Sequence, residues 1–145
     1  MDELGAGCAS TPEAPAVTDA EAKRFQPEQR AAIIYLYRAD SGSNGIATVW
    51  IDGRLVGQSL PGTFFRVPVR SGHNVITVSG NDIGRIEIDT RQDEVYFVAM
   101  NVQGELEGAS NTVFRRVNPQ AGQAEILRCC SLLETWRPGQ WRILP

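Results

Sequence analysis

Apolar and polar residues alternate with a period of two along most of this chain, in short runs set off by turn-forming residues. The pattern is clearest from Val49 to Val78. Val49 and Ile51 share one face of a strand, and Trp50 and Asp52 share the other. Asp52-Gly53 predicts a type I′ hairpin, which needs positive φ at both central residues. Leu55 and Val56 carry the return strand, ended by Gly57. Leu60-Pro61-Gly62 predicts a second turn, with Pro setting φ and Gly accepting the left-handed position after it. Phe65, Val67 and Val69 then alternate with Phe64, Arg66 and Pro68. Pro68 has no N–H to give a ladder, which places this strand at a sheet edge or at a bulge. Ser71-Gly72 turns the chain again, and Val75 to Ser79 reads as the next strand.

Two segments break the alternation by being apolar on both faces. Ala31 to Arg38 carries Ile33, Tyr35 and Tyr37 against Ile34 and Leu36, and Val95 to Val102 is similar. Both are predicted to be central strands, covered from two sides. SGSNG (Ser41–Gly45) is a loop, and Gly80-Asn81-Asp82 a turn. Ile86 and Ile88 alternate with Glu87 and Asp89, giving a half-exposed strand. Gly104 to Asn111 is a polar loop before a short strand, Thr112 to Val117, that carries Arg115 and Arg116.

Asn118-Pro119 opens the one strong helix, with Asn as N-cap and Pro at the first helical position. Ile126, Cys129, Cys130 and Leu133 fall at i, i+3, i+4 and i+7, a stripe to face a sheet. Near the start, Thr18 with Glu21 forms a capping box for a short helix from Asp19 to Phe25, stopped by Gln26-Pro27. The expected fold is mainly β: an antiparallel β-sandwich of about seven strands with one C-terminal helix packed on it. Residues 1–24 are expected to be a flexible tether and the short helix, 25–133 the sandwich, and 134–145 a tail bearing Trp and Arg.

The stretches IIYLYR (Ile33–Arg38), VWIDGRLVG (Val49–Gly57), FFRVPVRSGHNVI (Phe64–Ile76), EVYFVAM (Glu94–Met100) and GQAEILRC (Gly122–Cys129) carry a resemblance. Together they look like a domain-of-unknown-function family of bacterial envelope lipoproteins, similar in pattern to PEGA-type domains. The resemblance implies a small β-rich domain in a cell envelope, with Phe25 plugging one end of the sandwich. It supplies no catalytic residues.

At 145 residues the chain is long enough for one domain with a sizeable core. A net charge of −3 argues against a non-specific nucleic-acid binder. Lys23 is the one lysine among 14 basic residues, a skew read as compositional bias. No run approaches the ~18 apolar residues of a membrane-spanning helix. MDELGAGCAST resembles the end of a lipoprotein signal, with Cys8 as the acylated residue, although no basic or apolar region precedes it. The expectation is a shortened lipoprotein, lipid-anchored through Cys8 at the periplasmic face of a bacterial outer membrane. The alternative is a cytoplasmic protein with a disordered N-terminus that contains one ordinary cysteine.

Candidate chemistry is sparse. Cys129 and Cys130 are expected to be small buried hydrophobes, because adjacent helical residues point their Cβ atoms about 100° apart and resist bridging. With one His and three Cys in the chain, no metal site or cofactor is expected. His73 is read as making a strand-end hydrogen bond, and a hydrolase would instead show a concave cluster of acids beside it. No nucleophile elbow, zinc-protease, P-loop or dinucleotide motif occurs. The candidate binding residues are Trp50, Trp136, Arg137, Trp141 and Arg142, since aromatic and Arg side chains dominate interaction hot spots. The expected function is a non-enzymatic binding or scaffolding module recognising an envelope protein. Alternatives are a carbohydrate or peptidoglycan binder using exposed Trp, and a periplasmic inhibitor or immunity protein.

Overall fold

The computed structural model of the protein describes residues 11–40, 42, 45–79, 84–104 and 110–135. Among these the chain is mainly β, with nine strands rather than about seven, in two sheets. The strands are β1 (Ala32–Arg38), β2 (Ala47–Ile51), β3 (Arg54–Ser59), β4 (Thr63–Val69) and β5 (Gly72–Ser79), followed by β6 (Gly84–Thr90), β7 (Val95–Gly104), β8 (Ser110–Val117) and β9 (Ser131–Leu132). Two helices complete the fold, α1 (Ala16–Ala22) and α2 (Pro119–Cys129). One sheet has the order β8-β7-β1-β4-β9 and the other β3-β2-β5-β6. Pairing is antiparallel except for β1 with β7 and β4 with β9, which are parallel.

β1 lies between β7 and β4, and every one of its residues is buried. Its doubly apolar sequence is explained by two separate layers. Ile34 and Leu36 meet Val49, Ile51, Ile76 and Ile88 of the other sheet in one core. Ile33, Tyr35 and Tyr37 face outward into a second cluster with Phe64, Phe97 and Ile126, closed by the helices. The bulk of the protein's apolar burial, at about 25 cal/mol per Å², is divided between these two layers.

The turns follow their residues. Asp52 and Gly53 have φ of +53° and +79°, as a type I′ turn requires, and Gly62 takes φ +73°. Gly57 does not end β3, as expected, but sits inside it opposite Val49, where the register shifts by one residue. A Cβ there would stand 3.0 Å from both the Phe65 ring and Thr11 Oγ1, so the close packing of Thr11 requires glycine.

Several expectations fail at the termini. Helix α1 starts earlier than Asp19, behind Pro15, and has no side-chain cap. Thr18 therefore falls inside the helix, and the Thr18–Glu21 capping box does not form. Asp19 is used differently: its carboxylate accepts from Leu132 N at 2.9 Å and pairs with Lys23 at 3.0 Å. Residues 11–15, expected in the tether, pack instead. Thr11 is buried, Ala14 N donates to Leu132 O, and Glu13 bridges Leu133. Phe25 does not plug an end of the two-sheet core. At φ +56° it turns back onto Tyr35 and Phe97 on the outer face, with centroids 5.1 and 5.7 Å away.

Helix α2 keeps its expected N-cap, with Asn118 Oδ1 accepting from Ala121 N at 2.9 Å. It ends at Cys129, and Cys130 is already extended, at φ −134° and ψ 142°. Leu133 therefore leaves the expected stripe and belongs to the inner core. The chain then runs into β9, beside β4.

Candidate functional site

Among the described residues the two sheets are closed at one side and open at the other. At the closed side Gly84 of β6 lies against Thr112 of β8, leaving 2.9 Å between a hypothetical Cβ and the Thr112 carbonyl oxygen. At the opposite side, as bounded by the described residues, a groove of about 1390 Å³ runs between β4 and the β2–β3 hairpin. Its floor is apolar, from Val67 and Val69 on β4 to Leu55 and Val56 on β3. Its rim is of mixed charge, with Glu21, Glu28, Arg54 and Arg70.

The backbone of β4 opens into this groove. Ile33 N donates to Glu94 O on the β7 side, so odd residues of β1 turn their backbone groups away from β4. Their partners in register, Phe64, Arg66 and Pro68, consequently turn theirs outward. Phe64 O is taken by Leu133 N at 2.9 Å, but β9 pairs only with Thr63 and Phe64. The chain after Leu132 is drawn away by the N-terminal segment, with Glu134 N donating to Pro12 O at 3.0 Å. Among the described residues the Arg66 N–H and C=O and the Pro68 C=O have no backbone partner. The strand is thus locally an edge at Pro68, one of the two places its proline allowed.

The Arg66 side chain is held on the outer face. Its Nε donates to the Tyr35 hydroxyl at 3.2 Å, and its terminal nitrogens reach Glu28 and the Gln26 carbonyl, each at 3.2 Å. Tyr35 in turn donates to Ala22 O at 2.6 Å. Burial pushes the Tyr35 hydroxyl above its usual range, against the lowering influence of Arg66, so it stays a donor.

Trp50, a predicted binding residue, is half-buried on the outer face of the second sheet, its Nε1 donating to Ser79 Oγ at 2.7 Å. Cys8, Trp136, Arg137, Trp141 and Arg142 lie outside the described residues, and no arrangement of these with Trp50 follows.

His73 carries more than a strand-end hydrogen bond. Its Nδ1 lies 2.9 Å from Asp89 Oδ1 and its Nε2 2.9 Å from Glu87 Oε1, while Arg85 holds Glu87 at 2.7 Å. Asp89 first, then Glu87, holds the imidazole above its usual range, and Arg85 and then His73 hold Glu87 below its own. Acids do surround His73, but its side chain is 57% exposed and that of Asp89 88%, and both ring nitrogens are occupied. The cluster is a strip of ion pairs across β5 and β6 on an open face. Among the described residues no group of three or more His, Cys, Asp and Glu converges to hold a metal ion.

Two features escaped the sequence. The Cys129 and Cys130 sulfurs are turned against each other, where the expected helix would point them apart. The expectation assumed both residues inside a helix, whereas the helix ends between them and the extended Cys130 brings its sulfur round. Arg38, read only as the end of β1, is buried at 1% exposure and donates to Ser59 O at 3.0 Å. Its position in an apolar–polar pattern looks the same whether the strand end is covered or open.

The fold and the open edge define a class: a mainly β protein of two sheets with one edge of a strand left partly unpaired beside a groove. No family model matches the chain. It is 27% identical over 127 residues to an uncharacterized protein of Haemophilus influenzae, a match covering 85% of this chain and 74% of that one.

Proposed function

We propose that this protein is a non-enzymatic binding module, a β-sandwich that recognises an envelope protein by adding an extended segment of that partner to β4. The observation that carries the reading is the outward-facing backbone of Arg66 and Pro68 above an apolar floor. An incoming strand finds one donor and two acceptors there, and its alternate side chains reach Val67, Val69 and Leu55. Backbone pairing supplies affinity and the apolar floor supplies selectivity for β-branched, Leu or aromatic residues at every second position. The resemblance to envelope lipoproteins supports an envelope setting, and the similar Haemophilus influenzae protein supports a bacterial one. Acylation of Cys8 by two or three chains would hold the module at a membrane surface.

The test is selection of displayed random peptides on the immobilised chain, followed by amide chemical-shift mapping with an enriched peptide. The reading expects the largest shifts at Arg66, Val67 and Val69, and loss of binding in Val67→Arg with the fold retained. Enriched peptides that shift other surfaces, or no enrichment, overturn it.

A second reading, a glycan binder, draws on Trp50. Its tie to Ser79, two residue pairs along the β2–β5 ladder, lays the indole along the sheet, as a stacking platform lies. Co-sedimentation with bare peptidoglycan sacculi, abolished in Trp50→Ala, is its expected result.

A further inference from the structure

We propose that residues 140–144 of this chain lie along β4 as the groove's resident strand, and that a partner segment binds by displacing them. The docking of these residues stands on the geometry of β4 and on their own sequence; the competition rests on the reading of β4 as a partner site.

The described chain enters the groove as it leaves β9. That strand pairs with β4 in parallel, Ser131 beside Thr63 and Leu132 beside Phe64, so the chain heads along β4 toward Val69. Glu134 and Thr135 themselves line the groove. Glu134 N is drawn aside to Pro12 O at 3.0 Å, which opens a wedge between β4 and the departing chain. The wedge begins where Leu133 N takes Phe64 O, immediately before the outward backbone groups of Arg66.

The residues that follow have the sequence to fill it. Arg137-Pro138-Gly139-Gln140 places proline and glycine at the central positions of a type II turn, which reverses the chain and returns it antiparallel to β4. Residues 140–144 then read Gln-Trp-Arg-Ile-Leu. In an extended segment Trp141 and Ile143 share one face, and Arg142 takes the other. With the first face on Val67, Val69 and Leu55, the second turns to the side of Arg66, where the Glu28 carboxylate is 49% exposed. Five extended residues span about 16 Å, and the run from Arg66 to Val69 needs about 10 Å. None of the five is proline, so they carry donors for the Arg66 and Pro68 carbonyls and an acceptor for the Arg66 N–H. The segment at the other terminus is unsuited. Residues 1–10 read MDELGAGCAS, in which Met1 and Leu4 are the large apolar side chains and no alternation occurs. Such a segment has little apolar surface to bury on this floor.

The experiment is amide hydrogen exchange on the full chain, read at the Arg66 N–H in ¹H–¹⁵N spectra over a range of protein concentrations. An outward amide on an uncovered edge exchanges like that of an unstructured chain, whereas pairing with residues 140–144 is expected to slow it at least about tenfold. Nuclear Overhauser contacts are expected between this amide proton and the Hα protons of residues 140–144. Trp141→Asp/Ile143→Asp is expected to abolish the protection of Arg66 and to leave that of Leu36 and Phe97, in the central strands, unchanged. The same variant is expected to bind a peptide enriched on β4 at least about tenfold more tightly than the wild type, because the open edge is no longer a minor state. Free exchange at Arg66 in the wild type, or protection that survives in the variant, overturns the docking. Protection that grows with protein concentration assigns the edge to a second copy and overturns it too. Protection lost in the variant without a gain in peptide affinity overturns the competition alone. Protection lost in the variant, with no peptide enriched on either protein, supports the docking and removes the partner reading of β4 instead.

Discussion

Gly122 lies so close to Phe97 that a side chain has no room between them. A Cβ at position 122 would stand 2.5 Å from Phe97 Cγ and 2.7 Å from its Cβ. This contact seats α2 on β7, and it sits at the root of the aromatic ring rather than at a movable tip. Exposed helical Gly→Ala changes stabilise by up to about 1 kcal/mol. Here the overpacking cost of about 1–3 kcal/mol outweighs that gain. Gly122→Ala is expected to lower unfolding free energy by about 1–2 kcal/mol, read by urea denaturation. An unchanged or raised midpoint would show that α2 can lift away at little cost.

How much of this was legible in the sequence depends on the layer. The strands were legible because period-two alternation reports which residues face a core, and β1 was marked as central by its doubly apolar run. Its neighbours were not: nothing in Ile33–Tyr37 says that one face meets a sheet and the other two helices. Phe25 illustrates the limit. A left-handed φ at a phenylalanine is unfavourable locally and is held by its packing on Tyr35 and Phe97, contacts with partners 10 and 72 residues away. The candidate site was half legible, since Pro68 announced an edge. The departure of β9 after Leu132 depends on pairing with residues 12–14, which carry no strand pattern.

Asp52 does more than turn a hairpin. Its Oδ1 accepts from Val75 N at 2.8 Å and its Oδ2 from Asn74 Nδ2 at 2.7 Å, while Thr90 donates to Asn74 Oδ1 at 2.6 Å. One carboxylate thus links the β2–β3 turn to β5 and, through buried Asn74, to β6. Asp52→Ala is expected to cost about 1.5–3 kcal/mol, the range for hydrogen bonds to a charged group. Asp52→Asn, which keeps one acceptor and tolerates the left-handed φ, is expected to recover part of that loss. Equal stability of the alanine and aspartate proteins in thermal unfolding would show that the network adds nothing.

The His73 strip predicts a pH window. The folded pKa of His73 is raised from 6.5, so its contribution is complete below 6.5 and is lost as pH rises through the folded value. Glu87 is lowered from 4.5, so its contribution is present above 4.5 and is lost as pH falls through its folded value. The strip is therefore most stabilising between these two limits. NMR titration of the single histidine is expected to give a midpoint above 6.5 that falls in Asp89→Asn and in Glu87→Gln. It is also expected to fall with added salt, since the groups are exposed. A midpoint unmoved by either substitution would show that the pairs do not persist in solution.

Pro68 keeps the open edge of β4 from serving as a template for a second copy of the chain. Its backbone turns outward in register with Phe64 and Arg66, and at this position proline offers an acceptor and withholds a donor. Proline and charge are the usual means of blunting an exposed strand edge. Pro68→Val adds the missing N–H and a β-branched side chain, so it is expected to promote edge-to-edge association, seen by light scattering as a concentration-dependent rise in mass over the wild type. Pro68→Lys adds the same N–H with a charge that opposes pairing, and is expected to match the wild type. If both variants associate, the missing donor alone protects the edge and charge is irrelevant there. If neither does, the two groups of Arg66 and one of Pro68 are too few to hold a copy, and selective recognition of a partner must draw chiefly on the apolar floor beneath them.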